Sequence, residues 1–145
     1  MKPASVASRA QILVIEDNIS DVFLLKRALS QQNILFELTH LAAGDQALAF
    51  IRGDGAYADT PVPDLILVDL NLSKFNGEDI LRKIHDARHL AKAIVCVWSS
   101  SESRRDRARI MDLGVSQFVT KPAGLDQFLE IGKLIMDLLA GHATT

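Results

Sequence analysis

Leu65-Ile66-Leu67-Val68-Asp69-Leu70-Asn71 decides the reading of this chain. Four apolar residues run into one carboxylate, and a Pro63-Asp64 turn precedes them. A continuous apolar run of this length, bounded by turn residues, is the pattern of a strand buried on both faces. Asp69 falls where that strand ends. Open α/β sheets bind their ligands outside the carboxyl ends of the strands. Asp69 is therefore either a helix cap or a chemical group, and its company in the rest of the chain decides which.

Two other runs share the pattern. Ile12-Leu13-Val14-Ile15 ends in Glu16-Asp17, and Ala93 to Trp98 ends in Ser99-Ser100-Ser101. Leu35 to Leu41 alternates only in part, as a half-buried strand does, and Ser116 to Thr120 is a short strand followed by Lys121-Pro122. Helical spacing fills the gaps. Asn18 or Ser20 caps a first helix with Asp21 in its first turn and Val22, Leu25, Ala28 and Leu29 on its apolar face. Gly44 to Ile51 places Ala47, Leu48 and Ile51 inward, and Arg52 to Pro63 reads as a surface loop. After the turn-rich Asn71 to Gly77, Glu78 to about Asp86 carries Ile80, Leu81 and Ile84 on one side. Glu102 to Leu113 is a helix stopped by Gly114, and Gly124 to about Leu139 is the last. Five strands alternating with five helices imply right-handed crossovers and a parallel sheet covered on both faces. The first, third and fourth strands are continuously apolar and belong in the centre. The predicted fold is α/β, a flavodoxin-like doubly wound (βα)5 with a five-stranded sheet of order 2-1-3-4-5.

At 145 residues the chain makes one domain. We expect a flexible lead over 1–10, the domain over 11–140 and a flexible tail over 141–145. Nearly half of the residues are apolar and the net charge is −2, so nothing global argues for nucleic acid or a membrane. The single cysteine, Cys96, sits in an apolar run, which rules out a disulfide framework and suits a reducing compartment. The first nine residues lack the apolar core of a signal peptide, and no apolar run reaches membrane-spanning length. The expectation is a soluble cytoplasmic protein.

In a 2-1-3-4-5 sheet the ends of strands one, three and four are neighbours. Glu16, Asp17 and Asp69 then converge in one crevice. Like charges that close raise one another's pKa unless a cation is present. An oxygen-rich carboxylate cluster suits Mg²⁺, which takes a few protein oxygens and keeps waters. Ser99 adds a hydroxyl and Lys121 a positive charge. Nucleophile, metal site and donors for equatorial oxygens are the parts needed for phosphoryl transfer.

Glu16-Asp17, Asp69, Ser99 and Lys121-Pro122, in this order on five strand–helix units, resemble the receiver domain of two-component response regulators. The resemblance spans about Gln11 to Leu139. Asp69-Leu70-Asn71-Leu72, the long Gly/Asp/Pro loop and Thr120-Lys121-Pro122 are similar to the single-domain regulators associated with bacterial phytochromes. The resemblance implies that Asp69 is the phosphoacceptor and that Asp17, Asp69, Glu16 and the Asn71 carbonyl hold Mg²⁺. It implies that Lys121, Ser99 and the Ser100 N–H bind the phosphoryl oxygens, that Ser99 and Phe118 are the switch pair, and that the Lys121–Pro122 bond is cis. Phe118 lacks the hydroxyl a tyrosine would bring. Ser73 replaces the proline usual in the loop after the phosphoacceptor, which we expect to loosen the loop with little effect on the chemistry. Trp98 is bulky, and its fluorescence is a reporter for the site.

The implied function is a stand-alone regulator. A histidine kinase, such as a bacteriophytochrome, or a histidine phosphotransfer protein supplies the phosphoryl group. Output then runs through protein contacts at the face of the fourth helix, fifth strand and fifth helix. Beyond weak Mg²⁺-dependent self-phosphorylation and dephosphorylation, it is not an enzyme. Three other readings exist. A degenerate receiver would act as a phosphorylation-independent binding module. An aspartate-nucleophile phosphatase needs a second acid two residues after the nucleophile, where this chain has Asn71. An FMN-binding module needs a Ser/Thr/Gly-rich loop where Glu16-Asp17 would repel a phosphate. On the last helix Leu125, Phe128, Leu129, Gly132, Ile135 and Leu139 form a core face. Ile131, Leu134 and Leu138 lie on its flank, either covered by a neighbouring helix or forming a homodimer surface.

Overall fold

The computed structural model describes residues 9–99, 104–121 and 124–143. The elements run β1 (Ala10–Ile15), α1 (Ile19–Ser30), β2 (Phe36–Leu41), α2 (Gly44–Arg52), β3 (Leu65–Asp69), α3 (Gly77–Asp86), β4 (Ile94–Ser99), α4 (Arg104–Met111), β5 (Gln117–Thr120) and α5 (Leu125–Ala143). Single 3-10 turns at Gly55–Tyr57 and Arg88–Leu90 interrupt the two loops that lead into β3 and β4. All strand pairs are parallel and the order is β2-β1-β3-β4-β5, as the burial argument requires. The strand begins at Ala10, within the expected lead. α5 continues through Gly141, past the expected end of the last helix.

Strand alternation divides the core in two. Leu13, Ile15, Ile66, Val68, Val95, Val97 and Phe118 face α2, α3 and α4. Ile12, Val14, Leu65, Leu67, Cys96 and Trp98 face α1 and α5. β3 is buried at every position, which accounts for its unbroken apolar run. β2 is mostly half-buried, as an edge strand should be. Asn18 caps α1, its Oδ1 accepting the N–H groups of Ser20 and Asp21 at 3.0 and 3.4 Å.

Three helix-face expectations need correction. In α2 Phe50 is buried while Leu48 is only half-buried, because the helix turns its Phe50 edge onto the sheet. Leu125 at the start of α5 is exposed rather than in the core. Ile131 is only 7% exposed and packs in the second core, so the more open part of the flank is Leu134 and Leu138, both half-buried.

The α1–α5 contact rests on Gly132. A Cβ there would lie 2.7 Å from the carbonyl oxygen and 2.8 Å from the carbonyl carbon of Ala28. Backbone cannot yield as a flexible side chain can. Gly132→Ala gains up to about 1 kcal/mol of helix propensity but forces the two helices apart, at roughly 1–3 kcal/mol for overpacking. We expect a net loss of about 1 kcal/mol in urea unfolding; a variant as stable as the wild type would contradict the close crossing.

Candidate functional site

Parallel strands in register end at one level. Ile15 pairs with Val68, Asp69 with Trp98, and Ser99 with Thr120. Glu16 and Asp17 leave β1, Asp69 closes β3, Ser99 closes β4 and Lys121 follows β5. Backbone bonds hold these exits: the Glu16 N–H donates to Leu41 at 3.0 Å and the Lys121 N–H to Ser99 at 2.8 Å. Gly77 lets α3 begin against β3. A Cβ at Gly77 would stand 2.5 Å from the Asp69 carbonyl oxygen and 2.7 Å from the Leu70 Cα.

Carboxylate oxygens of Glu16, Asp17 and Asp69 lie within 4.8 Å of one another. Glu16 and Asp69 are buried and Asp17 is exposed. The Lys121 ammonium stands 2.6 Å from Glu16, 3.0 Å from Asp21 and 3.3 Å from Asp69, and 5.3 Å from the centre of the Trp98 ring. Burial pushes the Glu16 carboxyl up to about 8; the neighbouring Asp69 adds to this, and contacts with Lys121 and the Asn18 N–H oppose it. Burial works against the Lys121 charge, but bonds to Glu16 and Asp21 more than offset it and hold the ammonium above its ordinary value. For Asp17, slight burial is outweighed by the N–H and hydroxyl of Ser73, and its carboxyl is lowered.

Asp69 Oδ1 accepts the Asn71 N–H at 2.9 Å, and the Asn71 side chain donates to Ser99 Oγ at 2.8 Å. The loop after β3 thus ties Asp69 to Ser99. Ser73 does not loosen this loop. Its N–H donates to Asp17 Oδ2 at 3.0 Å, a bond that a proline could not make. Phe118 lies in the first core beneath the Arg107 guanidinium, 5.5 Å from the ring centre. Ser100 and Pro122, and with it the Lys121–Pro122 bond, lie outside the described residues.

The structure brings together Glu16, Asp17, Asp69, Asn71, Ser99 and Lys121, and adds a residue that sequence reasoning used only as a first-turn acid, Asp21. Asp17 precedes the Asn18 cap of α1, so no helical spacing links it to Asp21, and the local sequence carries no signal that Asp21 meets Lys121.

The sequence profile of the response regulator receiver domain matches residues 12–132. The chain belongs to the response regulator receiver domain family. It is 33% identical over 120 residues to the response regulator Rcp1 of Synechocystis sp., covering 83% of this chain and 82% of that protein. Among solved structures, the phosphorylated cyanobacterial phytochrome response regulator RcpA matches with a TM-score of 0.84 at 34% identity, over 92% of this chain and 95% of that one. The Mn²⁺-bound form of Rcp1 matches with a TM-score of 0.79 at 32% identity, over 87% and 91%. The resemblance to phytochrome-associated regulators is thus met by whole-length similarity. The acidic trio of this receiver domain fits a divalent cation. It gathers three hard oxygen donors, two of them buried, in a place where burial and mutual repulsion otherwise hold a proton on Glu16.

That proton gives a pH test. The folded value of Glu16 lies above its unfolded value near 4.5. The folded state therefore binds the proton more tightly, and stability falls as pH rises from about 4.5 through about 8. In metal-free protein the urea midpoint should fall between about pH 5 and about pH 8, and Glu16→Gln should flatten that fall. Equal slopes in both proteins would count against the assignment.

Proposed function

We propose that this receiver domain is a two-component response regulator that accepts a phosphoryl group on Asp69 from a partner histidine kinase or a histidine phosphotransfer protein. One observation carries the reading. The Asp69 carboxylate, buried at the carboxyl edge of the sheet, stands within reach of an ammonium and beside two further carboxylates. Asp69 is the nucleophile. As its oxygen bonds to phosphorus, the phosphorus–nitrogen bond of the donor phosphohistidine breaks and the imidazole leaves, taking up a proton from solvent. Lys121 pairs with the phosphoryl oxygens, and Ser99 donates to them once its hydroxyl turns from Asn71. Glu16, Asp17, Asp69 and the Asn71 carbonyl would hold Mg²⁺, which supplies neutralisation of the charge on the transferring group.

Phe118 and the surface around α4, β5 and α5 carry the output, with Arg107 above the ring as the first contact to change. The similarity to RcpA supports a phytochrome-type kinase as the donor. Weak Mg²⁺-dependent self-phosphorylation from small donors and slow dephosphorylation belong to the same chemistry, in a cytoplasmic setting. Among the described residues no helix is long and apolar enough to cross a membrane. A second copy docking on the last helix would meet Leu134 and Leu138.

Intact mass after incubation with acetyl phosphate tests this. Wild type should gain one phosphoryl group in Mg²⁺ and none after chelation. Asp69→Asn should gain none in either condition. A gain that survives the substitution would refute Asp69 as the acceptor, and no gain in wild type would refute the phosphoryl chemistry.

A further inference from the structure

The Lys121 ammonium has three carboxylate partners, and they are not equivalent. Glu16 and Asp69 belong to the trio that gathers around the cation position, and Asp69 is also the phosphoryl acceptor in the transfer. Asp21 belongs to neither. It projects from the first turn of α1, its side chain 20% exposed, and meets Lys121 at 3.0 Å. Resting on the proposed phosphoryl chemistry, we infer that Asp21 is a positioning residue: it anchors the Lys121 ammonium over the phosphoacceptor while Glu16 and Asp69 are engaged elsewhere.

The geometry supports anchoring rather than diversion. Pairing with Asp21 coexists with the 3.3 Å contact to Asp69, so the anchor does not draw the ammonium away from the phosphoacceptor. The ammonium also lies over the Trp98 ring, 5.3 Å from its centre. Lysine carries a long, flexible stem, and each fixed partner lowers the freedom that must be lost before transfer. Once a phosphoryl group converts Asp69 to a mixed anhydride, and once Glu16 serves a cation, Asp21 is the carboxylate left to hold the lysine in place. A second reading of Asp21 is that of an acid complementing the N-terminal dipole of α1, worth a few tenths of a kcal/mol and independent of Lys121.

A double-substitution cycle separates the two. The rate of phosphoryl gain from acetyl phosphate in Mg²⁺, read by intact mass, is compared for wild type, Asp21→Asn, Lys121→Met and the pair. Anchoring predicts that Asp21→Asn slows transfer about tenfold when Lys121 is present and less than about twofold when it is Met. Asp21→Glu should restore most of the rate. Melting curves identify any variant that is unfolded, and Asp21→Ser, which keeps a helix-starting residue, then replaces Asp21→Asn. An unchanged rate in Asp21→Asn, or the same loss in both backgrounds, overturns the assignment and leaves phosphorylation of wild type intact. Failure of wild type to gain a phosphoryl group overturns the underlying chemistry, and the Asp21 role with it.

Discussion

A half-buried ammonium among carboxylates is the interaction on which this molecule depends. Unit charges about 4 Å apart interact by roughly 4 kcal/mol at an effective dielectric of about 20. The carboxyl edge of the sheet places Glu16, Asp21 and Asp69 around one cation, Lys121, with Asp17 beside Glu16 and Asp69. Burial of Glu16, with Asp69 beside it, outweighs what one lysine offsets, which is why Glu16 retains a proton to about 8. That imbalance is a stored preference for a further positive charge. The fold supplies the rigidity that keeps the acids from moving apart: a five-stranded parallel sheet in strict register, with α3 pressed against β3 through Gly77.

From that edge, short contacts lead outward to the surface. Asn71 links Asp69 to Ser99, and Ser99 shares the end of β4 with a strand pairing to β5. Phe118 on β5 is covered by Arg107 of α4. Arg109 of the same helix bonds Glu78 of α3 at 2.6 Å, and this bond lowers the Glu78 carboxyl. α4 is thus held from two sides, by an aromatic ring on the sheet and by an ion pair to the neighbouring helix. These contacts, with Ile110 of α4 packed in the first core, are the route by which a change at Ser99 would reach α4.

The strand pattern and the sheet order were legible because burial on two faces writes itself as an unbroken apolar run, and partial burial as alternation. Asp69, Glu16, Asp17, Ser99 and Lys121 were legible because each stands at the end of such a run. Contacts between residues remote in sequence were not. Lys121 and Asp21 are a hundred residues apart, and nothing in the composition of α1 shows that Asp21, the acid of its first turn, meets Lys121. Ser73 shows the limit in another way. As a departure from the family's proline it suggests a looser loop, but the N–H it adds bonds Asp17 and fastens the loop instead. The flank of α5 failed for a third reason. Helical periodicity gives the width of an apolar arc but not how deeply it is covered, and Ile131 is buried where Leu134 and Leu138 are half-buried.

A cation-dependent phosphoryl site at the acidic edge, wired to Ser99 and Phe118, should be visible in amide NMR on the full chain, with Mg²⁺ and the phosphoryl mimic beryllofluoride added separately and then together. Mg²⁺ alone should move the resonances beside Asp17 and Asp69. Both together should also move those of Ser99, Phe118 and Lys121 and the Trp98 indole N–H, whose ring lies against the lysine. Shifts confined to other surfaces, or a spectrum unchanged by the pair, would contradict it.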